Sequence, residues 1–413
     1  MNPWEEFLRQ ARSFREVQRD KGVVKASRKT IGFLIEGDKT NAKVRALYDP
    51  LNRQELKEYC AERGAVWRYL NGCHIRIRRE DVPEGVPEEF WPMDEGYSVD
   101  PSLVFEIPDG YIASKRGVGF TPEHNAILES TGNDWTQLRL AAYRKGLFRG
   151  VMNRRIPIIN GTSNQRHPTV FHLLYSGTSF FDWIAEYLPK LQAYEQYISK
   201  RNKEPSILIK ADPPNWMVES LQLATKGRPN IVEMDADLMP SETLILSTQN
   251  HHSVNNNFNP YCRKKYSWLG EAMIDDIDPS KEPDKIYISR QDADRRRVKN
   301  HDELSSELEK RGFEVVTLSD KPFRDQVKLV SGAETILGLH GAGLVHMLWA
   351  TNPTIIEIIP ETYLWPTFFC LSQIMGFQYD AILARTYREN GRPRDHDVVV
   401  DIEKLLTVID KHH

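Results

Sequence analysis

Apolar and polar positions change rhythm along the chain. Near the start, Trp4, Phe7, Leu8, Ala11 and Phe14 recur at helical spacing. Residues 31–100 mix short β-rich runs, such as IGFLIEG and CHIRIRR, with the acidic, proline-rich stretch VPEGVPEEFWPMDEG. That stretch reads as a linker. Residues 103–127 alternate as short strands do. From about 169, strand-like and helix-like runs take turns: TVFHLLYS, WIAEYL, SILIK, NWMVESLQLA, NIVEMD and TLILST, then the turn-rich HHSVNNNFNPYC. The last block is the clearest. KIYISR, FEVVTL, ETILGL and TIIEIIP read as strands, and HDELSSELEKRG (ending at Gly312), FRDQVKLVSGA and GAGLVHMLWA as helices. Such alternation implies right-handed crossovers and parallel sheets covered by helices. Two α/β blocks, about 169–275 and 280–365, are predicted to face a cleft. Residues 366–413 are expected to be helical and to pack back on the first block.

Composition narrows the class. The 413 residues carry 55 Lys+Arg against 58 Asp+Glu, a formal charge of -3, which disfavours a nucleic-acid partner. Cys60, Cys73, Cys262 and Cys370 form no CxxC pair, so reduced thiols are expected. No run of about 18 apolar residues occurs, and MNPWEEFLRQ has no apolar signal core. A cytoplasmic location is therefore expected. Residues 1–30 carry a local net charge of +4. Two readings stay open for this basic amphipathic helix: packing on the protein, which is preferred because Glu5 and Glu6 dilute the charge, or peripheral contact with an anionic membrane.

Three segments could carry chemistry. In TILGLHGAGLVHML an apolar strand runs into His340, Gly341, Ala342 and Gly343 before an apolar helix. Glycines at such a turn let an anion reach free backbone N–H groups, although a tight packing turn gives the same pattern. Over 285–299, KIYISRQDADRRRVK, six bases outweigh Asp292 and Asp294. Arg290 and Arg297 are the candidates to grip a phosphate there; Arg295 and Arg296 read as a solvated loop. In TSFFDWIAEYLPKL, Ser179 suits a helix cap, and Asp182 and Glu186 lie four apart on one face. Either acid could deprotonate a hydroxyl, while spacing alone favours capping and solvation. Pro189 should end or kink that helix. The pairs Asp235/Asp237 and Asp292/Asp294 match a metal–diphosphate pattern, but acid content this high produces such pairs by chance. His251 and His252 fit a surface loop better than a metal site. No GxSxG, HExxH or GxxxxGK[ST] pattern is present.

Taken in order, these segments resemble the catalytic region of glycosyltransferase family 61. The quoted set is TSFFDWIAEYLPKL, SRQDADRRRVKN, RGFEVVTLSDKPFRDQV, HGAGL at 340–344 and IIEIIP, with the β-rich lead at 103–130. The likeness covers about 103–380. It implies a GT-B architecture: two Rossmann-like domains facing a cleft, here with an N-terminal β-containing extension. It also implies an inverting, metal-independent transfer of a hexosyl or pentosyl group from a nucleotide-diphosphate sugar, UDP-linked by resemblance, to a glycan or lipid-linked glycan acceptor, with no further cofactor. Carried over by motif, Arg290, Arg297, Asn300, His340, Gly341, Ala342 and Gly343 would face the donor diphosphate. Glu357 would meet the ribose hydroxyls, and Gln326 would lie near the nucleotide. Asp182 stands where the family usually has His, and Lys190 where it has Arg, so Asp182 and Glu186 compete as the base.

The expected division is 1–100 as an extension of unassigned role, 101–278 on the acceptor side, 279–365 on the donor side and 366–413 as the helical return. The Asp182 departure motivates an alternative, a non-catalytic nucleotide-sugar-binding scaffold subunit of a polysaccharide assembly. A dinucleotide-dependent oxidoreductase is disfavoured, because its glycine turn would follow the first strand of the block and not the third.

Overall fold

The computed structural model describes residues 49–131, 166–248, 262–387 and 392–412, apart from 92, 94, 95, 114, 115, 176, 178 and 237. The basic segment 1–30, Asp237 and the pair His251/His252 lie outside the described residues. The chain is a mixed α/β protein that separates into two compact units. One comprises residues up to 65, 106–168 and 234–244; the other comprises 66–105, 169–233 and 245–413.

In the first unit, helix Arg53–Arg63 opens with a capping box. The Asn52 side chain accepts from the N–H groups of Gln54 and Glu55, and Glu55 returns a carboxylate to the Asn52 N–H. Leu238–Ser247, Tyr111–Ala113, Val118–Phe120 and Ala126–Ile127 follow one another as an antiparallel ladder. The alternation over 103–127 is therefore genuine strand.

The second unit contains the α/β blocks. In the earlier block, β1 (His167–His172) pairs in parallel with β2 (Ser206–Lys210), and β3 (Ile231–Met234) lies beside β2. Helices α1 (Leu191–Arg201), α2 (Asn215–Thr225) and α3 (Arg263–Ile274) accompany them. In the later block come β4 (Lys285–Ile288), α4 (His301–Glu309), β5 (Glu314–Val316), α5 (Phe323–Ser331) and β6 (Thr335–Leu339). Then follow β7 (Thr354–Pro360), α6 (Thr367–Met375), β8 (Gln378–Thr386), β9 (Val398–Val399) and α7 (Ile402–Asp410). The sheet order is β5-β4-β6-β7-β8-β9, parallel except for β9. Because β6 and β7 are buried almost throughout, their side chains read as continuous apolar runs. The five parallel strands have a doubly wound order that reverses between β4 and β6. A ligand binds such a sheet at the carboxyl ends of the strands beside that reversal.

Five expectations change. The stretch 83–96 is no linker: Phe90 and Trp91 are buried, both pack on Phe369 with ring centroids 5.9 and 5.6 Å away, and the Trp91 indole donates to the Ile77 carbonyl. Two aromatic side chains outweigh the proline content. Residues 366–413 are not simply helical, since β8 and β9 extend the later sheet while α6 packs on α3. GAGLVHMLWA forms a 3₁₀ helix, Ala342–Trp349, and not an α-helix. Pro189 neither ends nor isolates its helix. An α turn (Phe180–Asp182) passes into a π turn (Trp183–Tyr187), then a 3₁₀ turn (Leu188–Lys190), then α1. One hydrophobic cluster holds Phe171 and Trp183 of the earlier block together with Phe323, Ile336 and Trp349 of the later one. The boundary expected at 278/279 thus falls inside a shared core.

Candidate active site

The site is built where β4 and β6 end. A cavity of about 580 Å³ opens there, lined by Ile288, Ser289 and Arg290 after β4, by Leu318–Pro322 after β5 and by Leu339, Ala342, Gly343 and Leu344 after β6. Phe180, Trp216, Glu219, Gln326 and His346 close it from the helices. A volume of that size suits a small ligand.

Arg290 lies against the glycine turn. A Cβ added to Gly341 would come within 2.3 Å of Arg290 Nη1, so only glycine lets the guanidinium lie over this backbone. Arg290 Nε donates to the Arg296 carbonyl at 3.2 Å and Nη2 to the Arg295 carbonyl at 3.4 Å, which fixes its direction. Burial lowers its pKa from the usual arginine value. The second cation is Arg296. Its backbone is left-handed, φ 55°, which turns its side chain away from its neighbours' course. The guanidinium lies 5.1 Å from the Tyr363 ring, and Nε and Nη1 are buried without a hydrogen-bond partner. Burial, then the Arg290 charge, push it down to about 10, so it stays protonated at neutral pH. Two neighbouring, largely buried guanidiniums, one with nitrogens that no acceptor among the described residues meets, make this an environment that favours an anion.

Arg297 and Asn300 are not brought there. The Arg297 N–H donates to Asp397 at 2.8 Å, and its half-exposed side chain faces the same carboxylate. Both amide atoms of Asn300 are spent on Val400, donating to its carbonyl at 2.9 Å and accepting from its N–H at 3.0 Å. Glu357 is not free for a ribose either. It is wholly buried in β7, with Oε1 2.5 Å from His340 Nδ1 and Oε2 accepting from the Tyr379 hydroxyl at 2.6 Å. Its task is to hold His340. His340 packs edge-on to Tyr363 and Phe368, centroids 5.2 and 5.3 Å away. Gln326 lines the cavity, and its amide donates to the Lys321 carbonyl at 2.8 Å, tying down the loop after β5.

The two acids differ in access. Asp182 is half-buried and accepts from the Tyr175 hydroxyl at 2.8 Å. Its own N–H donates to Ser179 Oγ at 3.3 Å, so the predicted cap is present. Burial, reinforced by Asp182, pushes the Tyr175 hydroxyl well above its usual pKa, which keeps it a donor. Glu186 is 7% exposed and sits in the π turn, a feature frequent at functional sites. The Asp182 turn meets the glycine segment through Phe180, which stacks on His346 at 5.2 Å, and meets α6 through Phe181, edge-on to Phe368 at 5.8 Å. Among the described residues, no group of three or more His, Cys, Asp or Glu is placed to hold a metal ion, and no helix is long and apolar enough to cross a membrane.

Residues 180–356 match the glycosyltransferase 61 family model. The matched segment is similar to glycosyltransferase 61 proteins. It runs from the Asp182 turn through Arg290, Arg296 and the glycine turn to the middle of β7. A beta-1,2-xylosyltransferase of Arabidopsis thaliana is 38% identical over 108 residues, 25% of this chain and 19% of that protein. An alpha-1,3-arabinosyltransferase of Oryza sativa subsp. japonica is 30% identical over 171 residues, 38% of this chain and 29% of that protein. The chain thus spans less than a third of the length of these curated relatives. Among solved structures, the iron-containing dodecameric glycosyltransferase TibC from enterotoxigenic E. coli aligns at a TM-score of 0.29 and 10% identity, covering 56% of this chain and 67% of that one. A likeness that slight carries no structural argument.

Sequence reading found Arg290 and the glycine turn of the family 61 region, and it missed Arg296, His346, Trp216 and Tyr363. His346 had a signal, six residues after His340 in the same motif. Arg296 had none, because three consecutive arginines look alike until the backbone separates them.

Proposed function

We propose that the chain is a glycosyltransferase of GT-B type, inverting and metal-independent, that moves a pentosyl group from a nucleotide-diphosphate sugar to a hydroxyl of a glycan acceptor. The carrying observation is the pair Arg290 and Arg296, one pressed on Gly341 and the other buried with unspent nitrogens. The family 61 match and the xylosyl- and arabinosyltransferase relatives support the same reading. In this proposal the diphosphate lies across the β4/β6 reversal, with His340 held near it by Glu357. Ribose falls to Asp320 in the loop after β5, in place of Glu357, since Asp320 lines the cavity. The acceptor hydroxyl gives its proton to Asp182, the more accessible acid, and attacks the anomeric carbon from the face opposite the diphosphate. As that C–O bond breaks, the arginine charges oppose the charge gathering on the leaving group, an electrostatic stabilisation fixed before the reaction begins.

The test is sugar transfer from UDP-xylose and UDP-arabinose with EDTA present. Transfer with inverted anomeric configuration is expected, unchanged by EDTA. Activity lost to EDTA and restored by added metal would overturn the metal-free reading. Asp182→Asn should lower turnover at least tenfold with the fold intact, and Glu186→Gln less. The reverse ranking would move the base to Glu186.

A further inference from the structure

His346 is almost wholly buried, yet it lines the cavity. The Trp349 indole N–H donates to its Nδ1 at 2.9 Å. An indole nitrogen can only donate, so Nδ1 carries no proton. Burial pushes the imidazole down to about 3, so the ring is neutral and its one proton sits on Nε2. Phe180 and Phe323 hold the ring from the sides, with centroids 5.2 and 5.9 Å away. Among the described residues no acceptor meets Nε2. A fixed donor left unspent at a cavity wall calls for an acceptor in the ligand.

The cavity lining offers two chemistries. Arg290 and Gly343 supply charge and bare backbone, which suit phosphate. Phe180 and Trp216, with ring centroids 5.1 Å apart, supply flat apolar surface, which suits a base. His346 belongs to this aromatic group through Phe180. Resting on the nucleotide-sugar reading above, we infer that His346 is a specificity-determining residue: its Nε2–H donates to a carbonyl oxygen of the nucleotide base and disfavours a base that presents an amine there. Trp349 is the positioning residue that locks the tautomer. A site that offers a fixed hydrogen bond discriminates well against a ligand that cannot complete it.

The experiment is calorimetric titration of the full chain with UDP, GDP, CDP and ADP, for the unaltered protein, His346→Phe and His346→Gln. One oxo-base diphosphate, UDP or GDP, should bind about tenfold or more tighter than CDP and ADP. His346→Phe should erase that preference by weakening the oxo ligand, and His346→Gln, which keeps a donor, should restore part of it. If His346→Phe binds all four as the unaltered protein does, the inference falls and the transferase reading stands. If the unaltered protein binds none of them, the nucleotide-sugar reading falls and takes this one with it. Should His346→Phe not fold, imidazole ¹⁵N spectra of the unaltered protein decide. An Nε2-protonated ring whose signal moves on UDP or GDP saturation supports the inference. An Nδ1-protonated ring, or no movement, overturns it.

Discussion

The two ends of the segment 285–300 have opposite fates. At the β4/β6 end, Arg290 and Arg296 turn inward and lose water; Asp292 and Asp395 act on them only through space, and Arg296 keeps two buried nitrogens without a hydrogen bond. At the β9 end, Arg297, Lys299 and Asn300 are consumed by the fold: the two cations face Asp397, and Asn300 clamps Val400. Within ten residues, one arginine set is left without an ion pair among the described residues and another staples a strand. Charge count cannot tell them apart. What separates them is whether the protein itself supplies the counter-charge. A cation already neutralised has little left to give a phosphate, and one denied its partner while buried is destabilising until a ligand arrives.

This contrast can be broken experimentally. The largest effect is expected at Arg290: Arg290→Ala should lower kcat/KM for sugar transfer at least a hundredfold, with thermal stability little changed. Gly341→Ala comes next. Its Cβ would occupy the space of the Arg290 guanidinium, so a loss of tenfold or more is expected without touching any charge. Arg296→Ala should cost about tenfold in kcat/KM and should raise the melting temperature, since a buried unpaired charge is removed. A lowered melting temperature would mean that Arg296 is a structural residue after all.

The remaining outcomes are thermodynamic. His346 is buried neutral, so below pH ~6.5 the unfolded chain binds a proton that the native chain refuses. Its contribution is full above that pH and is lost as pH falls toward 3. Between pH 7 and pH 5 this amounts to about 2 kcal/mol by linkage. Denaturant titrations at both pH values should show that loss, and His346→Phe should lack it. Asn300→Ala should cost about 1–2 kcal/mol of stability by freeing two buried backbone groups, with transfer rates unchanged. Arg297→Ala should do least, within about 0.5 kcal/mol, as expected of a half-exposed ion pair. A large catalytic loss in either of the last two variants would erase the distinction between the ends.

Much of this was legible in the residues, and the reasons for the rest are physical. The strand–helix alternation marked β4 to β7 of the later sheet, because strands buried on both faces cannot avoid reading as apolar runs, but it missed β8, whose half-buried, mixed residues give no such run. Arg290 was marked by its place at a strand end. Arg296 was hidden because one left-handed residue redirects its side chain, and nothing in RRR says which residue turns. Glu357 stood out as an acid at the end of an apolar run, but the sequence could not show that His340 and Tyr379 both reach it. The stretch 83–96 misled through its prolines, since local turn signals do not register that two aromatic side chains find a distant core. The shared core escaped for the same reason: periodicity speaks of each block and is silent on what covers it.

The seating of Phe90 and Trp91 on Phe369 has a consequence for biosynthesis. During translation these early rings have no surface to bury against until α6, Thr367–Met375, is made far along the chain. The central strands must also wait for β8 before β7 gains its second neighbour. Contacts so distant along the chain close slowly and leave apolar surface open meanwhile. The nascent protein should therefore depend on chaperones until residues 367–399 emerge, and a chain stopped near 356 should be captured by them and not released.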